Sequence, residues 1–218
     1  MPVYDISAQM FKRILVIVST LIFALGILFT SVVRTASIKY VFSQEATEQG
    51  ASSPEEKIEI DYVLPYPGRI SPDHPLWLVK AIRDRLWLLL TTNPSRKAEL
   101  KLLFADKRLA MSKDLFERDK PGIAFSTLTK AEKYLEEACD LEEKNRQKGI
   151  DTSEFLTILT KASLKHRQMI DEILKMAPED AKPGIIRTQD YSKNVYNKTR
   201  DALRGKGLPI MENPFESQ

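Results

Sequence analysis

An uncharged apolar run near the amino terminus constrains this chain more than any other feature. Residues 14–33, ILVIVSTLIFALGILFTSVV, contain no Asp, Glu, Lys or Arg. A helix of that length is about 30 Å long, which matches the hydrocarbon core of a bilayer. A cleaved signal peptide and a buried core helix are the alternatives, but the run is long for a signal peptide and no convincing small-x-small site follows it. The run predicts a retained signal anchor that crosses the membrane once.

Charge does not fix the orientation of this predicted span, because two basic residues lie on each side of it. Lys12 and Arg13 precede the run, and Arg34 and Lys39 follow it. A short tail over residues 1–13, one span and a large carboxyl-terminal domain is typical of an anchored extracytoplasmic domain. We therefore expect a single-pass protein of the cytoplasmic membrane, with its carboxyl-terminal domain outside.

Residues 34–63 are predicted to be a flexible acidic linker. Between residues 40 and 63 six acidic residues accompany a single lysine, and Gly50 and Pro54 interrupt the stretch. So few apolar residues cannot offset the entropy lost on ordering. No period-two alternation longer than EKIEIDYVL, at 56–64, occurs in the chain.

Helix signals predict a bundle domain over residues 64–206 and a frayed tail over 207–218. Asp73 is a possible cap for the first helix, Asn93 with Pro94 begins the second, and Asp151 or Thr152 begins the fourth. The expected helices are 74–91, 94–117, 122–147, a fourth that ends near 177, and a weaker fifth over 188–204.

Heptad stripes of alternating small and large residues support an all-α, up-down bundle, because such stripes let antiparallel helices pack closely. The second helix offers Ala98, Leu102, Ala105, Leu109, Ser112 and Phe116. The third offers Ala124, Leu128, Ala131, Leu135 and Ala138. The fourth offers Phe155, Leu159, Ala162, His166, Met169, Ile173 and Met176.

A proline-rich segment precedes the first helix. Prolines fix φ and favour extended neighbours, so LPYPG, at 64–68, predicts a stiff extended segment. Its apolar residues Leu64, Tyr66 and Ile70 are expected to lie on the bundle and to fix where the linker leaves it.

The composition leaves little material for a chemical site. One cysteine, Cys139, excludes an internal disulfide and a cysteine-based zinc site. The sequence offers two histidines and no recognisable catalytic motif, so we expect a non-enzymatic protein without a cofactor. A net charge of +3 without interleaved aromatic residues is not typical of nucleic-acid binding.

Two histidines and one acidic stretch are candidate ligand sites. His166 with Met169 offers a soft-metal pair, and the alternative is a core histidine with a hydrogen-bond partner. His74 is better suited to capping than to metal ligation. The acids Glu136, Glu137, Asp140, Glu142 and Glu143 around Cys139 suggest a cation site, or a solvated face paired at i,i+4. The same acids are expected to raise the pKa of Cys139.

The first two helices carry the candidate interaction residues. Their basic side chains suit an anionic envelope surface, although neighbouring acids equally predict internal pairing. Trp77 and Trp87 lie about 80° apart on a helix, so one is expected inside and the other exposed to a partner or the membrane interface. The candidate residues are Trp77, Trp87, Arg83, Arg96, Lys97 and Lys101.

Four segments in order, YVLPYPG, PDHPLWLVKAIRDRL, NPSRKAELKLLFADKRLAMS and STLTKAEKYLEEA, resemble an uncharacterised bacterial family of membrane-anchored helical proteins, domain of unknown function 5667. The resemblance covers roughly residues 62–140. The matching positions are Pro75, Leu76, Trp77, Leu90, Thr91, Asn93, Pro94, Lys97, Ala98 and Glu99. Trp77 stands where Tyr is common, and Asn93 where Asp is common. The resemblance implies an extracytoplasmic helical domain on an anchor, and it implies no activity.

Together these features predict a membrane-tethered extracytoplasmic helical bundle that acts as an interaction or structural module. Its expected partners are the bilayer, through residues 14–33, and a protein or an anionic envelope surface. The alternative is an extracytoplasmic ligand- or metal-sensing domain, with His166 and Met169 as its test residues. The sequence leaves the oligomeric state and the partner undetermined.

Overall fold

Helices account for all the regular secondary structure in the computed structural model, which describes residues 15–20, 24 and 59–216. The chain divides into two units, residues 1–45 and 46–218. In the first unit, residues 15–20 and Ala24 are helical. The second unit contains α1 (Trp77–Leu90), α2 (Pro94–Glu117), α3 (Pro121–Gln147), α4 (Ser153–Met176) and α5 (Lys182–Gly205).

Local signals set most of the helix ends. The Asn93 side chain accepts a hydrogen bond from the Arg96 amide at 3.0 Å, with Pro94 in the first turn, as predicted. Gly149, with φ of +78°, ends α3 in a backbone conformation that favours glycine. The Asp151 side chain accepts from the Ser153 amide at 3.1 Å, just before α4. These three junctions lie within a residue or two of their predicted positions.

The predicted start of α1 was wrong. The helix begins at Trp77, three residues later than expected, and Asp73 does not cap it. Instead the Asp73 carboxylate pairs with two residues of the turn between α2 and α3, Arg118 at 2.8 Å and Lys120 at 2.5 Å. The local hydrogen bond before α1 is made by His74, whose Nδ1 accepts from the Leu76 amide at 3.1 Å.

Helix α5 is longer than the predicted 188–204. It begins at Lys182, with Pro183 in its first turn, and its first turns pack on the bundle through the fully buried Ile185. A Cβ at Gly184 would lie 2.8 Å from the Phe125 ring, so α5 approaches α3 closely at this point. Tertiary packing therefore stabilises the first turns of α5, although local sequence signals predicted a later start for this helix.

Contacts between the helices establish an up-down arrangement of α2 to α5. Between α2 and α3, and again between α4 and α5, residues later in one helix contact residues earlier in the next. Each of these pairs of helices is therefore antiparallel. The contacts are Ser112 with Ala124, Lys101 with Glu137, Asp171 with Gln189, and Asp151 with Lys206. The predicted helical bundle is confirmed for the part of the chain described.

The predicted heptad seams form the core. All six positions of the α2 seam and all five of the α3 seam are buried. On α4 the seam from Leu159 to Ile173 is buried as well, whereas Phe155 is half-buried and Met176 is exposed. The seam register was therefore right, and only the two ends of the α4 seam depart from it.

Part of the predicted linker belongs to the core. Ile60 and Tyr62 are buried, and the Ile60 amide donates to Gln168 Oε1 at 3.1 Å. The predicted boundary at residue 64 was thus too late, while residues 34–58 lie outside the described part of the chain. Within the proline-rich segment Leu64 packs on the core as expected, but Tyr66 is exposed.

The carboxyl-terminal residues 207–216 also contact the bundle, contrary to the frayed tail that was expected. Met211 and Phe215 pack against the core. The Tyr196 hydroxyl donates to the Met211 carbonyl at 2.8 Å, and the Arg167 guanidinium lies 4.6 Å from the centre of the Phe215 ring. These contacts hold the end of the chain against α4 and α5.

Of the predicted span, only residues 15–20 and Ala24 are described, and residues 1–13 lie outside the description. Leu15, Val16, Ile17 and Val18 are helical and exposed. Among described helices, none has the length and apolar character needed to cross a membrane.

Candidate functional site

Three helices bring ionisable side chains together in the middle of the bundle. His166 of α4 lies between Asp106 of α2 and Glu132 of α3. Its Nδ1 is 2.5 Å from Glu132 Oε1, and its Nε2 is 3.0 Å from Asp106 Oδ1. All three residues are fully buried. Buried charges are tolerated when they are paired and hydrogen-bonded, as they are here.

A fourth member joins from the segment before the helices. The Tyr62 hydroxyl donates to Asp106 Oδ2 at 2.6 Å, so both oxygens of that carboxylate have partners. We call His166, Asp106, Glu132 and Tyr62 the His166 cluster. Glu132 Oε2 is buried and has no hydrogen-bond partner among the described residues. The cluster therefore links α2, α3, α4 and the segment that precedes α1.

The cluster favours a protonated histidine. Burial lowers the pKa of His166, but the Glu132 and Asp106 carboxylates outweigh this effect and raise that pKa to about 9. An imidazolium donates a proton from each ring nitrogen, which fits one carboxylate on each side. Burial and the neighbouring Asp106 carboxylate raise the pKa of Tyr62 well above its ordinary value, so Tyr62 remains a donor.

The His166 and Met169 pair is not brought together as a metal site. Both nitrogens of His166 face carboxylates on opposite sides of the ring, and Met169 packs in a separate apolar cluster with Ile170 and Ile173. Within residues 15–20, 24 and 59–216, no group of three or more His, Cys, Asp or Glu side chains is arranged to hold a metal ion.

The acidic stretch of α3 is divided among different partners. Glu142 is buried, accepts a hydrogen bond from Thr152 at 2.6 Å and pairs with Arg146 at 3.1 Å. Asp140 pairs with Lys198 of α5 at 3.2 Å. The Glu142 pair with Arg146 has the predicted i,i+4 spacing, as does the hydrogen bond that Gln147 donates to Glu143 at 3.3 Å. Burial, more than the neighbouring acids, raises the pKa of the Cys139 thiol to about 12, so this thiol stays protonated.

Most of the basic candidate residues have acidic partners. Arg83 pairs with Asp84 at 2.7 Å, and Arg96 pairs with Glu99 at 2.8 Å. Lys101 pairs with Glu137 and lies 4.5 Å from the centre of the Tyr134 ring. Lys97 is half-buried. These contacts favour the internal pairing that was the alternative to a basic surface.

Both tryptophans contact the protein itself. Trp87 is buried and meets Phe104 of α2 edge to face, with 6.0 Å between ring centres. Trp77 is half-buried, with Lys80 Nζ 5.2 Å and the Arg108 guanidinium 5.9 Å from the ring centre. The expectation of one inner tryptophan is met by Trp87, whereas Trp77 is partly covered.

One side of α1 is an apolar surface that the sequence did not reveal. Five aliphatic side chains are exposed there: Leu78 (67%), Val79 (60%), Ile82 (60%), Leu89 (75%) and Leu90 (48%). At about 100° per residue they span about 120° of the helix circumference. We call these five residues the α1 outer face. Large aliphatic side chains exposed together on one side of a helix make this face a candidate interaction surface.

The opposite side of α1 attaches the helix to the bundle. Trp87 and Leu88 are buried on that side, together with Asp84, the single acidic residue of α1. Lys80 Nζ donates to the Pro67 carbonyl at 3.1 Å and to the Ile70 carbonyl at 2.9 Å, which ties α1 to the proline-rich segment. The spacing of the apolar residues 78, 82 and 89 places them on one side of a helix and could have identified the α1 outer face. Because both sides of α1 are apolar, the sequence did not distinguish the outer side from the inner one.

A family model described as a domain of unknown function (DUF5667) matches residues 69–180. The matched range contains α1 to α4 and ends before α5. Compared with the resemblance over 62–140, it begins seven residues later and extends forty residues further. No curated protein and no solved structure matches the chain.

Proposed function

The chain belongs to the DUF5667 family, and from this premise we propose that it is an extracytoplasmic helical interaction module tethered to the cytoplasmic membrane. Residues 14–33 are the tether, the bundle of α2 to α5 is the scaffold, and the α1 outer face is the interaction surface. The family description names no activity, so the proposal is built on the side chains of this chain.

Tethering is supported by the uncharged run and by the residues described within it. Leu15, Val16, Ile17 and Val18 are helical, and each is about half exposed or more. Apolar side chains on an exposed helix are stabilised by a hydrocarbon environment rather than by water.

The α1 outer face is the observation that carries the interaction role. A surface helix ordinarily turns polar residues toward water, whereas α1 turns five large aliphatic residues outward. The ionisable cluster, by contrast, is unsuited to contact a ligand. His166, Asp106 and Glu132 are sealed inside the bundle, so their partners are each other. These positions support a structural role for the cluster and a binding role for α1.

Membrane fractionation with protease protection tests the proposal. We expect the full chain to stay in carbonate-washed membranes and an external protease to cleave the bundle in cells stripped of their outer layers. A variant with Ile17→Lys and Leu25→Lys places charges within the run and should shift the protein to the soluble fraction. Intact wild-type protein in the soluble fraction would contradict tethering, and a bundle protected from external protease would contradict its location.

A further inference from the structure

We propose that the α1 outer face docks on the surface of an anionic phospholipid bilayer, with α1 lying along the membrane plane. The inference rests on the proposed tethering and names the partner of the interaction surface. It joins three observations: an exposed aliphatic stripe, the arginines beside it, and the short chain segment that leads to residues 14–33.

The stripe has the geometry of an interfacial helix. Such a helix buries one apolar face at the boundary of headgroups and acyl chains and keeps basic residues at its edges. On α1, Leu78, Ile82 and Leu89 lie within about 40° of one another at about 100° per residue, and Val79 and Leu90 complete the stripe on one side of them. Their exposed fractions of 60–75% leave most of each side chain available to lipid.

Arginines border the stripe on both sides. Arg85 and Arg83 lie about 20° beyond its two edges at about 100° per residue. Both are exposed, and Arg85 makes no ion pair with another described residue. Asp84, the acid of α1, is buried and paired with Arg83, so the positive charge beside the stripe that has no acidic partner among the described residues is that of Arg85. This charge complements phosphate headgroups, toward which a basic residue is attracted by about 1 kcal/mol.

The same charges disfavour a second copy of the chain as the partner. In a two-fold contact between two α1 outer faces, the flanking arginines of both copies would approach each other. No exposed acid of α1 is available to pair with them. An anionic lipid surface therefore suits this face better than self-association does.

The chain length makes the bilayer the nearest partner. Residues 34–58 join the predicted span to the described residues of the bundle unit. A segment of that length reaches at most about 90 Å when fully extended. A tethered surface meets its target at an effective concentration of about a millimolar, so a weak contact suffices.

Lipid quenching of a fluorophore on the full chain tests this inference. The variant Ile82→Cys is labelled with an environment-sensitive dye, and Ile186→Cys, an exposed aliphatic position of α5 (52%), is the matched control. Native Cys139 is buried and stays unlabelled in the folded protein. Each protein is reconstituted into phosphatidylcholine vesicles with or without phosphatidylglycerol, and the vesicles carry a lipid-borne quencher.

We expect strong quenching at position 82 in anionic vesicles, weaker quenching in neutral vesicles, and little at position 186 in either. Arg85→Glu in the Ile82→Cys background should reduce docking about fivefold or more, and Arg85→Lys should preserve it. Equal quenching at positions 82 and 186 in anionic vesicles would overturn the inference. The inference would also be overturned if quenching at position 82 decreased as the amount of protein per vesicle increased. That result would indicate that a second copy of the chain covers the α1 outer face.

Vesicle flotation after a carbonate wash separates the two hypotheses in the same samples. Protein that floats while position 82 remains unquenched contradicts membrane docking of α1 and leaves the tether intact. Protein that fails to float contradicts the tether. Quenching at position 82 in protein that carbonate releases supports docking of α1 without the tether.

Discussion

The His166 cluster and the α1 outer face depart from the ordinary distribution of residues in opposite directions. The cluster places four polar or ionisable side chains in the interior, and the face places five aliphatic side chains on the surface. Within the cluster the buried polar groups satisfy one another, because His166 has a carboxylate at each ring nitrogen and Tyr62 donates to one of these carboxylates. No described residue covers the α1 outer face in this way.

This difference predicts that substitutions in the two regions have different effects on stability. A buried polar group that loses its partner destabilises the fold, because the group left behind cannot reach water. An exposed aliphatic side chain can be removed with little effect on folding, because it was never removed from water. The stability of the fold should therefore depend on substitutions and on pH at the His166 cluster, and hardly at all on substitutions in the α1 outer face.

The largest expected effect comes from His166→Ala. The substitution leaves Asp106 and Glu132 buried without a positive partner, which should lower the free energy of unfolding by about 3–5 kcal/mol. Urea denaturation of the full chain in mild detergent, followed by circular dichroism, measures it. Ile186→Ala, at an exposed position, is the control and should change stability by less than about 0.5 kcal/mol. If His166→Ala lowered the free energy of unfolding by less than about 1 kcal/mol, the His166 cluster would not be a source of stability.

An apolar seam substitution provides the comparison within the core. Leu159 lies two turns before His166 on the same seam and is fully buried, as is Leu135 on α3. Leu159→Ala or Leu135→Ala should each lower the free energy of unfolding by about 2–5 kcal/mol through a cavity. The same denaturation measurement applies. Changes below about 0.5 kcal/mol at both positions would show that the seam register is wrong.

Alkaline pH should affect the cluster and spare the α1 outer face. The pKa of His166 is about 9 in the folded protein and about 6.5 when unfolded. Its stabilisation is therefore fully present below about pH 6.5 and is lost as pH rises through about 9, by at most about 3 kcal/mol.

The control for this pH effect is His166→Gln, because it removes the titrating ring and keeps a polar side chain. The difference in unfolding free energy between wild type and variant should shrink from pH 6.5 to pH 10. Lys80, whose pKa burial lowers to about 8, is present in both proteins, so its titration cancels in the difference. A difference independent of pH would contradict a protonated His166.

The smallest expected effect contrasts two adjacent leucines of α1. Leu88 is 8% exposed and packs inward, whereas Leu89 is 75% exposed on the α1 outer face. Leu88→Ala should lower the free energy of unfolding by about 2 kcal/mol, and Leu89→Ala by less than about 0.5 kcal/mol. Thermal and urea denaturation of the two variants side by side measures the contrast. Equal losses would indicate that the outer face is covered in the folded protein.

The fold was largely predictable because its signals are local. Residues spaced by four and three along α2 and α3 identified the buried seams, and the Asn93 cap located the start of α2. Prediction failed where distant packing decided the outcome. Ile60 and Tyr62 read as part of an acidic linker, yet both are buried against helices more than forty residues away.

The candidate site was less predictable for the same reason. Asp106 and Glu132 look like ordinary surface acids of charged helices, although each directly follows a seam alanine, Ala105 and Ala131. Only the packing of α2, α3 and α4 turns both acids toward His166, a seam residue whose role the sequence left open. On α1 the apolar residues were visible, but nothing in their spacing showed which side would meet the bundle.

The sequence alone determined that this chain forms helices, where most of them begin and end, and which stripes face inward. These properties depend on capping, proline placement and periodicity, which act within a few residues. Tertiary structure decided that His166 is enclosed by two carboxylates and that the leucines on one side of α1 remain uncovered. Both outcomes depend on contacts between residues far apart in the chain, as the separations of 34, 60 and 44 residues within the His166 cluster illustrate.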